Sequence, residues 1–192
     1  MKCHKPVTGY QRFVSDTAVL VIDMLNSYQH EDAEKLTKSV EDIVEPIAGL
    51  VAAARNRDDV DLIYVNDNFG DFTASQDDLV RQAIEGERRD LVEPIVPDEG
   101  VRFLQKVRHS AFYATSLAYL LTQLDTKRVI LTGQVTEQCI LYTALDAYVR
   151  HFQVVVPPDA VAHIEADLGK AALRMMEENM RAELESADKC LG

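Results

Sequence analysis

The chain is poor in cysteine, has no tryptophan and is short of cations. Its cysteines are Cys3, Cys139 and Cys190. They are odd in number and far apart, and none forms a CxxC pair. This excludes a disulfide framework and suits a reducing compartment, so a cytoplasmic location is expected. Lysine and arginine total 20 against 32 aspartates and glutamates, a formal charge of −12. Such a surface repels phosphate backbones and anionic membranes, so neither nucleic acid nor membrane is an expected partner. The apolar runs are strand-sized, too short to span a bilayer. The start, MKCHKPVTGYQRF, lacks the apolar stretch of a secretory signal, so none is expected. No GxGxxG follows a strand pattern and no GxxxxGK[ST] occurs, so the usual phosphate cradle is missing. The histidines, His4, His30, His109, His151 and His163, are scattered without HxH, HxxxH or DxH spacing. The residues therefore point to no metal and no cofactor.

What is present is a regular alternation. With 192 residues, 47% apolar and 27% charged, the chain fits one globular domain, 1–192, with residues 1–15 as an N-terminal extension. Apolar, β-branched runs at Thr17–Asp23, Val60–Asp67, Val101–Val107, Lys127–Thr132 and Phe152–Pro158 read as strands. Helical spacing marks 32–59, where Pro46 implies a kink or a fresh start near Glu45. It also marks Ser75–Glu85, a segment whose buried face is Leu117, Leu120, Leu121 and Leu124, and Asp167–Glu185. The charged, proline-bearing stretch 86–100 reads as a loop, either a lid or an oligomer contact. Alternating strands and helices predict a three-layer α/β/α sandwich with a mostly parallel, Rossmann-like central sheet.

The stretch VILTGQVTEQCILYTALDA, from Val129 to Ala147, carries the chemistry. It reads as a buried strand, a turn at Gly133 and a helix capped by Thr136, with Ile140, Leu141, Ala144, Leu145 and Tyr148 on its apolar side. Cys139 then lies in the first helical turn, where the dipole favours thiolate. A free cysteine there can equally be an inert small hydrophobe. Asp23 ends the first strand, where it either caps a turn or serves a site. Lys106, near the exit of the third strand, is alternatively a solvated surface residue. Yet Asp23, Lys106 and Cys139 all fall at C-terminal strand ends, the edge where open α/β sheets bind ligands. An acid, an ammonium and a thiol gathered in one crevice make a nucleophilic device, with the Val135 and Cys139 N–H groups placed for an oxyanion.

These residues resemble the isochorismatase-like cysteine hydrolases, a family that includes nicotinamidases, N-carbamoylsarcosine amidases and ureidoacrylate amidohydrolases. The likeness runs through TAVLVIDMLNSY, KVRHSAFYATSL, GQVTEQCILYTALDA and VVPPDAVA to the KAALRMM helix. It implies Asp23 as acid/base, Lys106 as charge partner and Cys139 as nucleophile. It also implies a non-proline cis peptide between Gln134 and Val135. Nicotinamidases carry an Asp-x-His metal pair after the second strand; here Asp67-Asn68-Phe69 puts Phe69 in the histidine's place. That departure implies a site without metal, and the retained cysteine favours cleavage of an amide or ureido C–N bond. A vinyl ether hydrolase and a non-catalytic ligand-binding protein are the alternatives. The expected pocket residues are Tyr28, Asn68, Phe69, Phe112, Tyr113 and Gln138. The expected partners are a small-molecule substrate and further copies of the chain, as a dimer or tetramer.

Overall fold

The computed structural model describes residues 16–192. The N-terminal extension, with Cys3 and His4, lies outside the described residues. The strands are β1 (Thr17–Ile22), β2 (Val60–Asp67), β3 (Arg102–Lys106), β4 (Arg128–Gln134), β5 (Gln153–Val155) and β6 (Val161–Ala162). They form one six-stranded sheet in the order β3-β2-β1-β4-β5, with β6 beside β4. All named pairings are parallel. The helices are α1 (Ala33–Arg55), α2 (Gln76–Ile84), α3 (Arg89–Val92), α4 (Leu117–Gln123), α5 (Leu141–Val149) and α6 (Ala166–Met180).

Side-chain alternation along each strand sorts the core into two halves. Val19, Val21, Leu62, Tyr64 and Ile130 face α1 to α3. Ala18, Leu20, Ile22, Ile63, Val65, Val129 and Leu131 face α4 to α6. Strands buried on both faces read as continuous apolar runs, which is why they were legible. The fold is the expected α/β/α sandwich. Successive strands step outward from β1 through β2 to β3, and the chain then returns to place β4 on the other side of β1. The junction of β1 and β4 is thus the topological switch point, where the crevice at the carboxyl ends of such sheets takes ligands.

Several elements differ in detail from expectation. α1 runs unbroken through Pro46. The carbonyl that loses its partner there belongs to exposed Asp42, where water can serve it. The 86–100 stretch is not a free loop: it holds α3 and a 3-10 turn, with Leu91, Val92 and Ile95 buried. Arg88 ties it to Glu41 of α1 at 2.9 Å. α4 starts after Ser116, later than Ser110 or Thr115 would have it. α6 stops at Met180, where Arg181 turns left-handed with φ 56°. This frees Glu183 to bridge Val155 of β5. Met176 and Met180 pack in the core while Met175 is exposed. Among the described residues no helix is long and apolar enough to cross a membrane.

Candidate active site

Gly133 closes the switch point. It pairs with Ile22 in the β1–β4 register, and its φ is +110°, with the Ile22 carbonyl oxygen 2.1 Å from where a Cβ would sit. Only glycine permits that backbone and that approach. Directly after it the Gln134–Val135 peptide is cis. Thr136–Ile140 then forms a single π turn that leads into α5. Thr136 does not cap the helix, as its spacing suggested. Its hydroxyl instead donates to the Ala162 carbonyl at 2.9 Å. The apolar side of α5 is also displaced: Thr143, Ala144 and Ala147 are buried, while Leu145 and Tyr148 are exposed. A π turn inserts an extra residue and so shifts the phase of the helix that follows.

Asp23 follows β1 in a left-handed conformation, φ 55°, which aspartate tolerates better than most residues. Three neighbours hold it there. Its N–H donates to Val65 O at 2.9 Å, its carbonyl accepts from Gln134 Nε2 at 2.6 Å, and its Oδ1 accepts from the Asp67 N–H at 2.8 Å. Lys106, at the end of β3, is buried with 1% exposure. Its Nζ lies 2.8 Å from Asp23 Oδ2, 3.6 Å from Cys139 Sγ and 3.4 Å from Asp67 Oδ2. Elements separated in sequence by most of the chain therefore meet at one ammonium group.

The electrostatics correct one expectation. Burial, and after it the charge of Asp23, push the Cys139 thiol far above its ordinary range; Lys106 and a hydrogen bond from the Val135 backbone pull back without prevailing. The resting group is a thiol, not the thiolate that a helix start alone suggests, because desolvation outweighs the dipole. Burial also raises the Asp23 carboxyl, offset in part by Lys106, the Cys139 thiol and the Asp67 N–H. For Lys106 burial acts to lower the value, but the charges of Asp23, Cys139 and Asp67 outweigh it, and it rises. The three groups titrate as one set, so the steps of a titration belong to the set and not to one residue.

Of the other expected site residues, Gln134 and Val135 form the cis junction beside Cys139. Tyr28 is buried, and its hydroxyl donates to Gln134 Oε1 at 3.4 Å, so it supports the side chain that holds Asp23. Asn68 is buried and accepts from the Gly70 N–H at 3.0 Å, shaping the turn after β2. Phe69 is exposed in that turn with φ 52°, and Tyr113 is exposed as well. Gln138 lies in the π turn, half-buried. Phe112 is not brought to the site. It stacks on Phe152 at 6.1 Å beneath the Arg150 guanidinium, at the far end of α5. Ala111 N–H donates to Thr143 Oγ1 at 2.9 Å and so lays this segment along that helix.

Two contributors escaped sequence reading. Asn66 clamps Leu25, accepting from its N–H at 2.9 Å and donating to its carbonyl at 3.1 Å. Asp67 is the second carboxylate on Lys106. The run of three polar residues ending an apolar strand was the available signal for both. Asp67 turns Oδ1 to the Phe69 N–H at 2.8 Å and Oδ2 to Lys106, and Phe69 offers no donor atom. This donor set does not fit a metal pair.

A doubly wound α/β sheet with an acid, a lysine and a cysteine at its switch point defines a class of small α/β hydrolase. The chain belongs to the isochorismatase-like hydrolase family: the isochorismatase domain matches residues 17–188. The isochorismatase family protein YaaI of Bacillus subtilis is 34% identical over 177 residues, 92% of this chain and 97% of that protein. The maleamate amidohydrolase of Pseudomonas putida is 31% identical over 166 residues, 81% of this chain and 76% of that protein. The crystal structure of an isochorismatase-like hydrolase from Alkaliphilus metalliredigens superposes with a TM-score of 0.72 at 26% identity, covering 91% of this chain and 96% of that one.

Proposed function

We propose that the protein is an amidohydrolase that cleaves the C–N bond of a small amide or ureido compound through a thioester on Cys139. The observation that carries this reading is the Lys106 ammonium, 2.8 Å from Asp23 and 3.6 Å from Cys139 Sγ. In this reading Asp23 accepts the thiol proton as sulfur attacks the carbonyl carbon. The Val135 and Cys139 N–H groups take the oxyanion. The C–N bond breaks as Asp23 passes the proton to the departing amine or ammonia. Water, deprotonated by Asp23, then opens the thioester and the proton returns to sulfur. Lys106 supplies the positive charge throughout, so no step calls for a metal. The likeness to a maleamate amidohydrolase supports C–N cleavage over other bonds.

The test is ammonia release across a panel of small amides and ureido compounds, with and without chelator. Wild type should turn over at least one, unaffected by chelator. Cys139→Ala should lose about 1000-fold or more with its melting temperature nearly unchanged. Activity that survives Cys139→Ala but not Asp23→Asn would move the reading to acid chemistry, such as vinyl ether hydrolysis.

A further inference from the structure

We infer that Glu137 is a positioning residue for Cys139, holding the π turn in register by anchoring it to the entry of α6. The inference rests on Cys139 being the nucleophile, as proposed above. Glu137 sits two residues before Cys139, and its Oε1 accepts from the N–H groups of Ile164 and Glu165 at 3.0 and 2.9 Å. Glu165 immediately precedes α6 and does not cap it; its own carboxylate pairs with Lys35 of α1. The two N–H groups that lead into α6 thus find their acceptor on the turn that bears the cysteine.

The anchoring is mutual. Thr136 is held to Ala162 and Glu137 to Ile164 and Glu165, so consecutive residues of the turn grip consecutive parts of one segment. That segment is itself fixed: the His163 N–H donates to Ser39 Oγ of α1 at 3.0 Å. If the π turn relaxed to a regular helix, one residue would drop from the turn. Each side chain would rotate by about 100°, carrying the Glu137 carboxylate off both donors. The second oxygen, Oε2, is buried with no hydrogen-bond partner among the described residues. A buried orphan oxygen works against stability, so a cap serving stability alone would be better made by a shorter, wetter side chain.

The experiment uses 4-nitrophenyl acetate, whose attack by Sγ forms a thioester, expels 4-nitrophenolate and sends the thiol proton to Asp23. The rate that vanishes in Cys139→Ala is the Cys139 rate. Iodoacetamide labelling of Cys139, followed by peptide mass spectrometry, reads access and thiolate availability together in the same samples. In Glu137→Ala the acylation rate, normalised to labelling, should fall about 10- to 100-fold, the scale of a misplacement near 1 Å. Glu137→Gln keeps the acceptor oxygen and should restore it to within about threefold. Glu137→Asp keeps the charge but retreats by one methylene, and should not. If Glu137→Ala does not fold, the Gln and Asp variants decide. Unchanged normalised acylation with only a lower melting temperature would reduce Glu137 to a structural cap. Rescue by Asp and not Gln would replace position by charge. A wild type without Cys139-dependent acylation would remove the nucleophile reading and this inference together.

Discussion

Cys139 and Cys190 are both buried, both embedded in regular packing, and both have thiols raised above the ordinary value. Cys190 is pushed up to about 11, by burial against the pull of Arg128. Its sulfur meets the Glu185 carbonyl at 3.5 Å, an acceptor that cannot carry a proton away. Cys139 has instead a carboxylate that can take its proton and an ammonium that holds the pair. Burial makes an inert thiol in either place; in the proposed mechanism a neighbouring base with a fixed counter-charge makes the difference.

Removing that neighbour is the strongest way to break the contrast. Lys106→Met should lower Cys139-dependent turnover about 100- to 1000-fold, the scale of losing one fixed electrostatic stabiliser from a buried site. Cys190→Ala should leave the rate within about threefold, since surface and core changes away from the site act through stability. Comparable losses in both variants would erase the distinction.

A medium effect should appear in the pH profile. Because burial raises Asp23, the acid limb of kcat/KM should lie above the ordinary carboxylate value of 3.8. Activity should rise as Asp23 loses its proton. Cys190→Ala should not move that limb. A limb at the ordinary value would show that Asp23 is not the base.

The smallest effect is on alkaline stability, where the two cysteines differ in degree. Above the ordinary thiol value of 9.0 the unfolded chain releases protons that the folded chain keeps. Stability therefore falls with rising pH, by up to about 1.4 kcal/mol per pH unit for each such group. Either substitution by alanine should flatten the fall in melting temperature between pH 8 and 10. Cys139→Ala should keep doing so beyond about pH 11, where Cys190 has itself ionised.

The frame of the molecule was legible because its strands are buried on both faces and end abruptly in polar residues. Those ends gave Asp23, Lys106 and Cys139 without any knowledge of strand order. The order itself was needed to show that Asp23 and Cys139 flank the reversal. Local patterning failed where the backbone departs from helix and strand. Thr136 looks like a cap because spacing does not reveal a π turn, and the apolar side of α5 was misplaced for the same reason. Phe112 looks like pocket lining because an aromatic beside a site loop cannot be told from one packed along a helix. The thiol's protonation state depends on how much water surrounds it, which composition does not encode. Glu137 looks like any surface acid until α6 is seen to start against it.

Lys106 rides on β3, the outermost strand of the β3-β2-β1-β4-β5 order, and it reaches inward past β2 to the acid of β1 and the cysteine beyond β4. Sheet margins open more readily than centres. Fraying of that margin would withdraw the ammonium while the hydrophobic layers stayed closed, leaving a folded protein with a switched-off site. In the proposed mechanism, competence would then depend on how firmly that one short strand is held.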